Sequence, residues 1–326
     1  MGRPVSDIFS SNRTITAVPG VSVGHAVDHK HATGSTVVLF SPDADMACDP
    51  RGGWPGTFDT HSIDVAKRFT RKHALFLTGG DVFGLDCATG LRRFLLETGR
   101  ASAVGAGDLP GIVGADIYDI RDAGVTEVDY SLLGYTAAKL ASTGVVAQGK
   151  VGAGLGATVG KFGKGLRPSN GGCGSYAIPL GEDVVVGALV VTNALGNVYD
   201  KRNGKTIAGA RDMNGEIVEY IDELSKRVAG NEIRGAVSGR STTIGLVATN
   251  IALSHEELIK VSQMAHDGLA MSVRPVHMSR DGDTIFAAST TANERPKWLP
   301  EAADVVGSLA AECVAQAVVN SVKSPV

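Results

Sequence analysis

Residues 241–251, Ser-Thr-Thr-Ile-Gly-Leu-Val-Ala-Thr-Asn-Ile, constrain the fold more than any other stretch of this 326-residue chain. The run 243–249 is mostly apolar and β-branched, which is the composition of a strand buried in a sheet. Ser241 and Thr242 stand directly before it, after the small-residue segment 237–240. A chain can cut its own backbone at a hydroxyl residue that lies at the start of a buried strand.

Such a cut would make Thr242 a catalytic group. Its hydroxyl would attack the Ser241 carbonyl, and hydrolysis of the resulting ester would leave Thr242 as a new N-terminus. The freed amine would then act as the base for its own hydroxyl, as in the N-terminal threonine variant of hydrolytic triads. A threonine pair before an apolar strand is also common in proteins without this chemistry, so the local sequence leaves both interpretations open.

The composition narrows the class of protein. A formal net charge of −3 gives no basic footprint for nucleic acid and no polybasic patch for a membrane surface. The four cysteines lie far apart without a Cys-x-x-Cys pair, which indicates free thiols rather than a disulfide scaffold or a zinc site. The N-terminal residues contain no apolar signal core, so we expect a cytoplasmic protein. The hydrolysis mechanism described for Thr242 needs neither metal nor organic cofactor.

Predicted strands and helices come in runs rather than in strict alternation, which favours α+β layers over a doubly wound sheet. The predicted strands are 37–40, 74–77, 112–120, 184–192, 243–249 and 284–288, and the predicted helices are 63–73, 84–97, 130–141, 215–228, 254–271 and 302–322. The segment 152–157 fits the dinucleotide pattern G-x-G-x-x-A, but the glycines that follow it are incompatible with the helix that this pattern requires.

Several longer motifs follow one another in an order that resembles a known family. They lie at 16–25, 51–57 (Arg-Gly-Gly-Trp-Pro-Gly-Thr), 77–86 (Leu-Thr-Gly-Gly-Asp-Val-Phe-Gly-Leu-Asp), 151–161, 187–196, 242–249 and 281–283. By these motifs the chain resembles the N-terminal-nucleophile aminopeptidase/amidase family. This family includes the L-aminopeptidase/D-Ala-esterase-amidases, the β-peptidyl aminopeptidases and the endo-type nylon-oligomer (6-aminohexanoate-oligomer) hydrolases. With threonine at the nucleophile position, the chain is most similar to the last branch.

The resemblance implies a fold and an assembly. The fold is α+β, a four-layer αββα sandwich, with residues 1–326 as a single catalytic domain that cuts itself into chains 1–241 and 242–326. The processed units are expected to self-associate into a homo-oligomer, with a tetramer as one form. The substrate class is a short peptide or a linear oligoamide, hydrolysed through an acyl-enzyme.

The resemblance also assigns roles to individual residues. Thr242 is the nucleophile and its amine the base, Asn193 stabilises the oxyanion, and Lys161 assists, with Lys164 as the alternative lysine. Asp281 and Asp283 orient the amine and hydroxyl of Thr242. The residues alone favour a turn or strand-end cap for Asn193 and an ordinary turn for Asp-Gly-Asp. They leave a surface position open for the lysine.

One departure from the family leaves a rival assignment open. Relatives usually carry Asn or Gly before the nucleophile, where this chain has Ser241. Ser241 itself would be the nucleophile if the chain were cut after Arg240, but the register of the following strand fits the family only with Thr242. Two other functions also stay open: an acyltransferase of the ornithine acetyltransferase type, which also self-cleaves before a threonine, and an unprocessed binding protein without catalysis.

Overall fold

The computed structural model describes residues 12–67, 69–105, 107–120, 123–181, 184–230, 241–293, 295–297 and 299–323. The segment 237–240 lies outside these residues. In chain order the strands are β1 (Val21–Asp28), β2 (Thr33–Pro50), β3 (Thr57–Phe58), β4 (Arg71–Thr78), β5 (Ser102–Val104), β6 (Gly107–Leu109), β7 (Ile112–Asp116), β8 (Thr158–Val159), β9 (Ser169–Asn170), β10 (Gly172–Leu180), β11 (Val184–Asn193), β12 (Asn197–Asp200), β13 (Lys205–Ala208), β14 (Thr242–Ile251), β15 (Val273–Arg274) and β16 (Thr284–Asn293). The α-helices are α1 (Cys87–Glu97), α2 (Tyr130–Lys139), α3 (Tyr220–Ala229), α4 (His255–Ser272) and α5 (Ala302–Lys323).

The largest sheet folds into two layers about the long strand β2. Its order is β10-β11-β14-β16-β2-β4-β7-β3, and β1 also pairs with β2. The register of β2 against β4 shifts between Leu39 and Ala44. Before this irregularity β2 pairs with β1, and beyond it β2 pairs with β16. One strand therefore belongs to both layers.

The inner strands are apolar on both faces because each layer is covered on both sides. Successive side chains of a strand point to opposite faces. Accordingly, Leu189 lies in the cluster between the two layers, while Val190 packs toward α4 and α5. In the other layer Val38 faces the same inner cluster, while Val37 packs toward α1 and α2. The layers are thus helix, sheet, sheet and helix, as predicted from the family resemblance.

Most of the predicted elements are present, but one predicted helix is wrong. Residues 60–63 form a single 3-10 turn, and the chain enters β4 at Arg71. Ile63 is buried, whereas Val65 is exposed and Ala66 has a left-handed φ of 64°. Ala66 therefore interrupts a right-handed helix, and the apolar residues of 63–73 do not share one helical face.

The C-terminal helix α5 is long and apolar enough to cross a membrane by length and composition. Its mean hydropathy reaches 1.5 over an 18-residue window, and 61% of that window is buried inside the protein. Val314 and Val318 of α5 belong to the cluster that also contains Val190 and Leu258. Packing against β11 and α4 therefore accounts for the apolar character of α5.

Candidate active site

Strand pairing brings the ends of β11, β14 and β16 together. Asn193, the last residue of β11, is the register partner of Thr242, the first residue of β14. On the other edge β14 runs parallel to β16, and an isolated bridge between Ser241 and Asp281 continues that pairing. Asn193, Thr242 and Asp281 therefore lie side by side, although they are far apart in the sequence.

The peptide bond between Ser241 and Thr242 is buried and held at its carbonyl. Thr242 Oγ1 donates a hydrogen bond to the Ser241 carbonyl oxygen over 2.7 Å. The backbone N–H of Gly282 donates to the same oxygen over 3.0 Å. The hydroxyl of Ser241 instead donates to Asp281 Oδ1. The Thr242 hydroxyl thus faces the carbonyl of the preceding residue, while the Ser241 hydroxyl is bound to a carboxylate.

Asp283 accepts hydrogen bonds from two backbone N–H groups and contacts the ring of His277 beside the start of β14. Its Oδ1 accepts from the backbone N–H of Thr243 over 2.7 Å. Its Oδ2 accepts from the backbone N–H of His277 over 3.0 Å and lies 2.9 Å from the ring Nδ1 of the same residue. His277 has a left-handed φ of 58° and packs edge-on against His266, with ring centroids 4.7 Å apart. His277 thereby fixes the orientation of Asp283.

Asp281 is almost as enclosed but carries a different set of partners. Its Oδ1 accepts from the Ser241 hydroxyl, and its Oδ2 accepts from the backbone N–H of Met278 over 2.7 Å. Burial raises the pKa of Asp281 above its usual range, and the neighbouring Asp283 carboxylate raises it further. Asp281 and Asp283 are therefore a pair of buried carboxylates rather than side chains of an exposed turn.

Lys161 and Asn193 form one hydrogen-bonded unit beside Thr242. Lys161 Nζ donates to Asn193 Oδ1 over 2.6 Å, and the side-chain Nδ2 of Asn193 donates to the Tyr118 carbonyl over 3.0 Å. These bonds fix which way the amide points. Burial lowers the pKa of Lys161 to about 7, against the opposing effect of carboxylates that include Asp281. Lys164 is exposed on the same loop, so the geometry favours Lys161 between the two lysines.

A cavity of about 260 Å³ opens onto this cluster. It is lined by Trp54, Pro55, Gly56, Asp81, Val82, Asp116, Tyr118, Ser241, Thr242 and Arg280. Asp116 is 4% exposed, and its Oδ2 is buried without a hydrogen-bond partner among the described residues. Burial raises the pKa of Asp116 to about 7, with further contributions from Asp81 and Asp119.

Sequence reasoning missed the wall of this cavity. The sequence motifs assign no role to Asp81, Asp116, His277 or Arg280. A signal was available for Asp116, because a carboxylate directly ends the apolar run of β7. A polar residue in that position must find partners or a cavity.

The glycine-rich loop 51–57 packs directly on the two carboxylate residues. The backbone N–H of Trp54 donates to the Asp281 carbonyl over 2.8 Å, and that of Arg51 donates to the Asp283 carbonyl over 2.9 Å. A Cβ added at Gly52 would lie 2.3 Å from the Asp281 carbonyl oxygen. Only glycine permits this approach, which explains the composition of the motif. Among the described residues no group of three or more His, Cys, Asp or Glu side chains is arranged to hold a metal ion.

Comparison with known proteins gives consistent matches over nearly the whole chain. The family model of peptidase family S58 matches residues 13–324. An uncharacterized aminopeptidase of Mycobacterium tuberculosis (strain ATCC 25618 / H37Rv) is 36% identical over 334 residues, which cover 95% of this chain and 93% of the relative. A 6-aminohexanoate-oligomer endohydrolase of Paenarthrobacter ureafaciens is 29% identical over 312 residues, which cover 94% of this chain and 84% of that protein.

A solved structure matches the fold. The L-aminopeptidase D-Ala-esterase/amidase of Ochrobactrum anthropi, a variant of the Ntn hydrolase fold, superposes with a TM-score of 0.68 at 19% identity. The match covers 95% of this chain and 86% of that structure. This likeness confirms the predicted fold class.

Proposed function

We propose that this chain, which belongs to peptidase family S58 and is an amide hydrolase, cuts itself between Ser241 and Thr242. The freed Thr242 then hydrolyses short linear amides through an acyl-enzyme. The observation that carries the proposal is the hydrogen bond between Thr242 Oγ1 and the Ser241 carbonyl oxygen, 2.7 Å long. It brings the hydroxyl against the carbonyl that self-cleavage must attack.

The same contacts support Thr242 over Ser241 as the nucleophile. The Ser241 hydroxyl donates to Asp281 rather than facing a carbonyl. Thr242 also begins β14, so its amine, once freed, would stay anchored between β11 and β16. A nucleophile held by a strand that is paired on both edges is preorganised for attack, which is the geometry that nucleophilic catalysis needs.

The remaining residues support roles around this nucleophile. Asn193 donates one side-chain N–H to the Tyr118 carbonyl, and we assign its second N–H to the oxyanion that forms on the substrate carbonyl. Lys161 holds the Asn193 oxygen and keeps the amide in that orientation. Asp283 fixes the backbone of Thr243, directly after the nucleophile. The Thr242 amine would take the hydroxyl proton and pass it to the leaving amine.

The cavity wall supports a substrate with a free amino end. Asp81 and Asp116 line one cavity with Thr242, and a carboxylate in a sheltered cavity attracts an ammonium group. Short peptides and linear ω-amino oligoamides both present such a group. The name of the Paenarthrobacter ureafaciens relative, 6-aminohexanoate-oligomer endohydrolase, favours oligoamides between them. Self-association and a cytoplasmic location stay predictions.

The test combines intact mass with a substrate panel. Denatured wild-type protein should give two chains, and sequencing of the smaller should begin Thr-Thr-Ile-Gly. Thr242→Ala should stay a single inactive chain, and Thr242→Ser should cleave and keep some activity because the hydroxyl survives. Turnover should be measured on D- and L-peptides, β-peptides and 6-aminohexanoate oligomers. A smaller chain that starts at Ser241, or full hydrolysis by Thr242→Ala, would contradict the proposal.

A further inference from the structure

Two contacts at Ser241 have no part in hydrolysis by the freed Thr242. The Ser241 hydroxyl is bound to Asp281, and the Ser241 carbonyl oxygen accepts from the Gly282 N–H over 3.0 Å. Ser241 is 3% exposed, so both contacts are shielded from water. After cleavage Ser241 is the end of the departing chain, so these contacts concern only the uncut protein.

The position of Ser241 follows from the sheet rather than from a loop. The bridge between Ser241 and Asp281 keeps the register in which Ile244 lies opposite Thr284. The parallel pairing of β14 and β16 therefore extends across the scissile bond. Asp281 is held in turn by the Met278 N–H over 2.7 Å, so the partner of the Ser241 hydroxyl is itself fixed.

Gly282 lies unusually close to the reacting groups. A Cβ added at Gly282 would lie 2.7 Å from Thr242 Oγ1 and 3.0 Å from the Trp54 carbonyl oxygen. The absence of a side chain lets the Gly282 N–H reach the Ser241 carbonyl oxygen beside the attacking hydroxyl. A backbone N–H aimed at a carbonyl oxygen is the kind of donor that stabilises a tetrahedral oxyanion.

We propose that Ser241, Asp281 and Gly282 form a clamp that acts only in self-cleavage. The Ser241 hydroxyl, bound to Asp281, is a positioning group that orients the scissile carbonyl toward Thr242 Oγ1. The Gly282 N–H is the oxyanion donor of this reaction, whereas Asn193 serves the later hydrolysis of substrates. This inference rests on the proposed self-cleavage. It adds that self-cleavage and substrate hydrolysis use different oxyanion donors.

The chemistry of the step balances without a co-reactant other than water. Thr242 Oγ1 forms a bond to the Ser241 carbonyl carbon, and the negative charge on the carbonyl oxygen is held by Gly282. The carbon–nitrogen bond then breaks, and the proton lost by the hydroxyl ends on the nitrogen that becomes the Thr242 amine. Water hydrolyses the ester, which restores the Thr242 hydroxyl and leaves a carboxylate on Ser241.

The experiment follows cleavage of freshly synthesised full-length chain over time by denaturing gel and intact mass. Ser241→Ala removes the positioning hydroxyl. Ser289→Ala is the matched control, because Ser289 is a buried serine of β16 whose hydroxyl donates to the Ile251 carbonyl, away from the site. Loss of a hydrogen bond to a charged group should slow cleavage of Ser241→Ala by roughly 10- to 150-fold. Ser289→Ala should cleave at the wild-type rate.

A second measurement separates positioning from folding. Thermal unfolding of Ser241→Ala in the uncleavable Thr242→Ala background should have a lower midpoint, because the buried Asp281 carboxylate loses a donor, but it should remain one cooperative transition above the temperature of the cleavage assay. Ser241→Ala that is unfolded at the assay temperature would overturn the positioning role. In an Asp281→Asn background Ser241→Ala should have a smaller effect on cleavage, because the substitution then removes a hydrogen bond to a neutral amide rather than to a carboxylate.

The outcomes distinguish the clamp from self-cleavage itself. Wild-type protein that never cleaves would overturn the proposed function and the clamp together. Wild-type protein that cleaves at the same rate as Ser241→Ala would overturn the clamp alone. Equal slowing of Ser241→Ala and Ser289→Ala, or additive effects with Asp281→Asn, would also overturn it.

Discussion

Asp281 and Asp283 carry the same side chain two residues apart, but asparagine should be tolerated far better at 281 than at 283. The difference lies in their hydrogen-bond partners. Asp283 accepts from two backbone N–H groups, one on each carboxylate oxygen: that of Thr243 on Oδ1 and that of His277 on Oδ2. An asparagine has one oxygen and one NH₂ group, so in either orientation the NH₂ faces a backbone N–H.

Among the hydrogen-bond partners of Asp281 in the described residues, only one can donate but not accept. The Met278 backbone N–H donates to Oδ2, while the partner of Oδ1 is the Ser241 hydroxyl. A hydroxyl accepts as readily as it donates. The asparagine of the Asp281→Asn variant can therefore turn its oxygen to Met278 and its NH₂ to Ser241. The repulsion between the two carboxylates is relieved by either substitution, so it cancels from the comparison.

The difference in stability between the two variants comes from one buried N–H that loses its acceptor only in Asp283→Asn. Such a loss lowers the free energy of unfolding by about 1–3 kcal/mol. Both aspartates are at most 3% exposed, so water does not replace the lost partner. We expect Asp283→Asn to lower the free energy of unfolding by about 2 kcal/mol more than Asp281→Asn. Urea unfolding in the Thr242→Ala background measures this difference on a single uncut chain. Equal losses for the two variants would refute the hydrogen-bond argument.

Three further predictions concern catalysis. Lys161→Met should lower kcat by about 10²-fold or more, because Asn193 Oδ1 loses its charged donor. Lys164→Met should change kcat less than about twofold, because Lys164 is exposed. Steady-state kinetics on the best amide substrate compares the two variants. Burial raises the pKa of Asp116 to about 7, so its carboxylate forms as pH rises through that value. The KM of substrates with a free amine should then fall with rising pH in the wild-type protein but not in Asp116→Asn. If the pH dependence of KM persists in Asp116→Asn, Asp116 does not bind the substrate amine. The Thr242 amine must be neutral to act as the base, and the ordinary pKa of an N-terminal amine is about 7.7–8.0. We therefore expect kcat to rise with pH through the neutral to mildly alkaline range and to be unaffected by a chelator. A kcat that does not change with pH, with chemistry shown to be rate-limiting, would contradict the assignment of the amine as base.

The sequence predicted the strands best where both faces are buried. The apolar runs that became β11 and β14 are continuous because each lies inside the αββα sandwich, and such runs have no competing helical period. The predicted helix 63–73 was wrong because its apolar residues belong partly to a turn anchored by Ile63 and partly to β4. The local composition of 63–73 does not distinguish one helix from a turn followed by a strand.

The site was predictable as a set of residues but not as a set of contacts. The family resemblance named Thr242, Asn193 and Asp283, and the strand register brings the first two together. The partners of Asp283 depend on His277, whose left-handed backbone no sequence pattern signals. The acidic wall around Asp116 depends on how β7 ends beside the glycine-rich loop, where Gly56 leaves room for its carboxylate.

The arrangement around β14 supports the proposal that one site first cuts the chain and then hydrolyses a substrate. Every residue of β14 from Thr242 onward is buried and the strand is paired on both edges, so a new N-terminus there would not fray as chain ends usually do. The departing side is held at Ser241 by Asp281 and Gly282. In the proposed reaction, hydrolysis would turn the Ser241 carbonyl into a carboxylate on a residue that contacts the buried Asp281, and neighbouring like charges repel. Asp281, which holds the uncut chain at Ser241, would therefore repel the new chain end, and its departure would open the cavity, which Ser241 lines, to substrate.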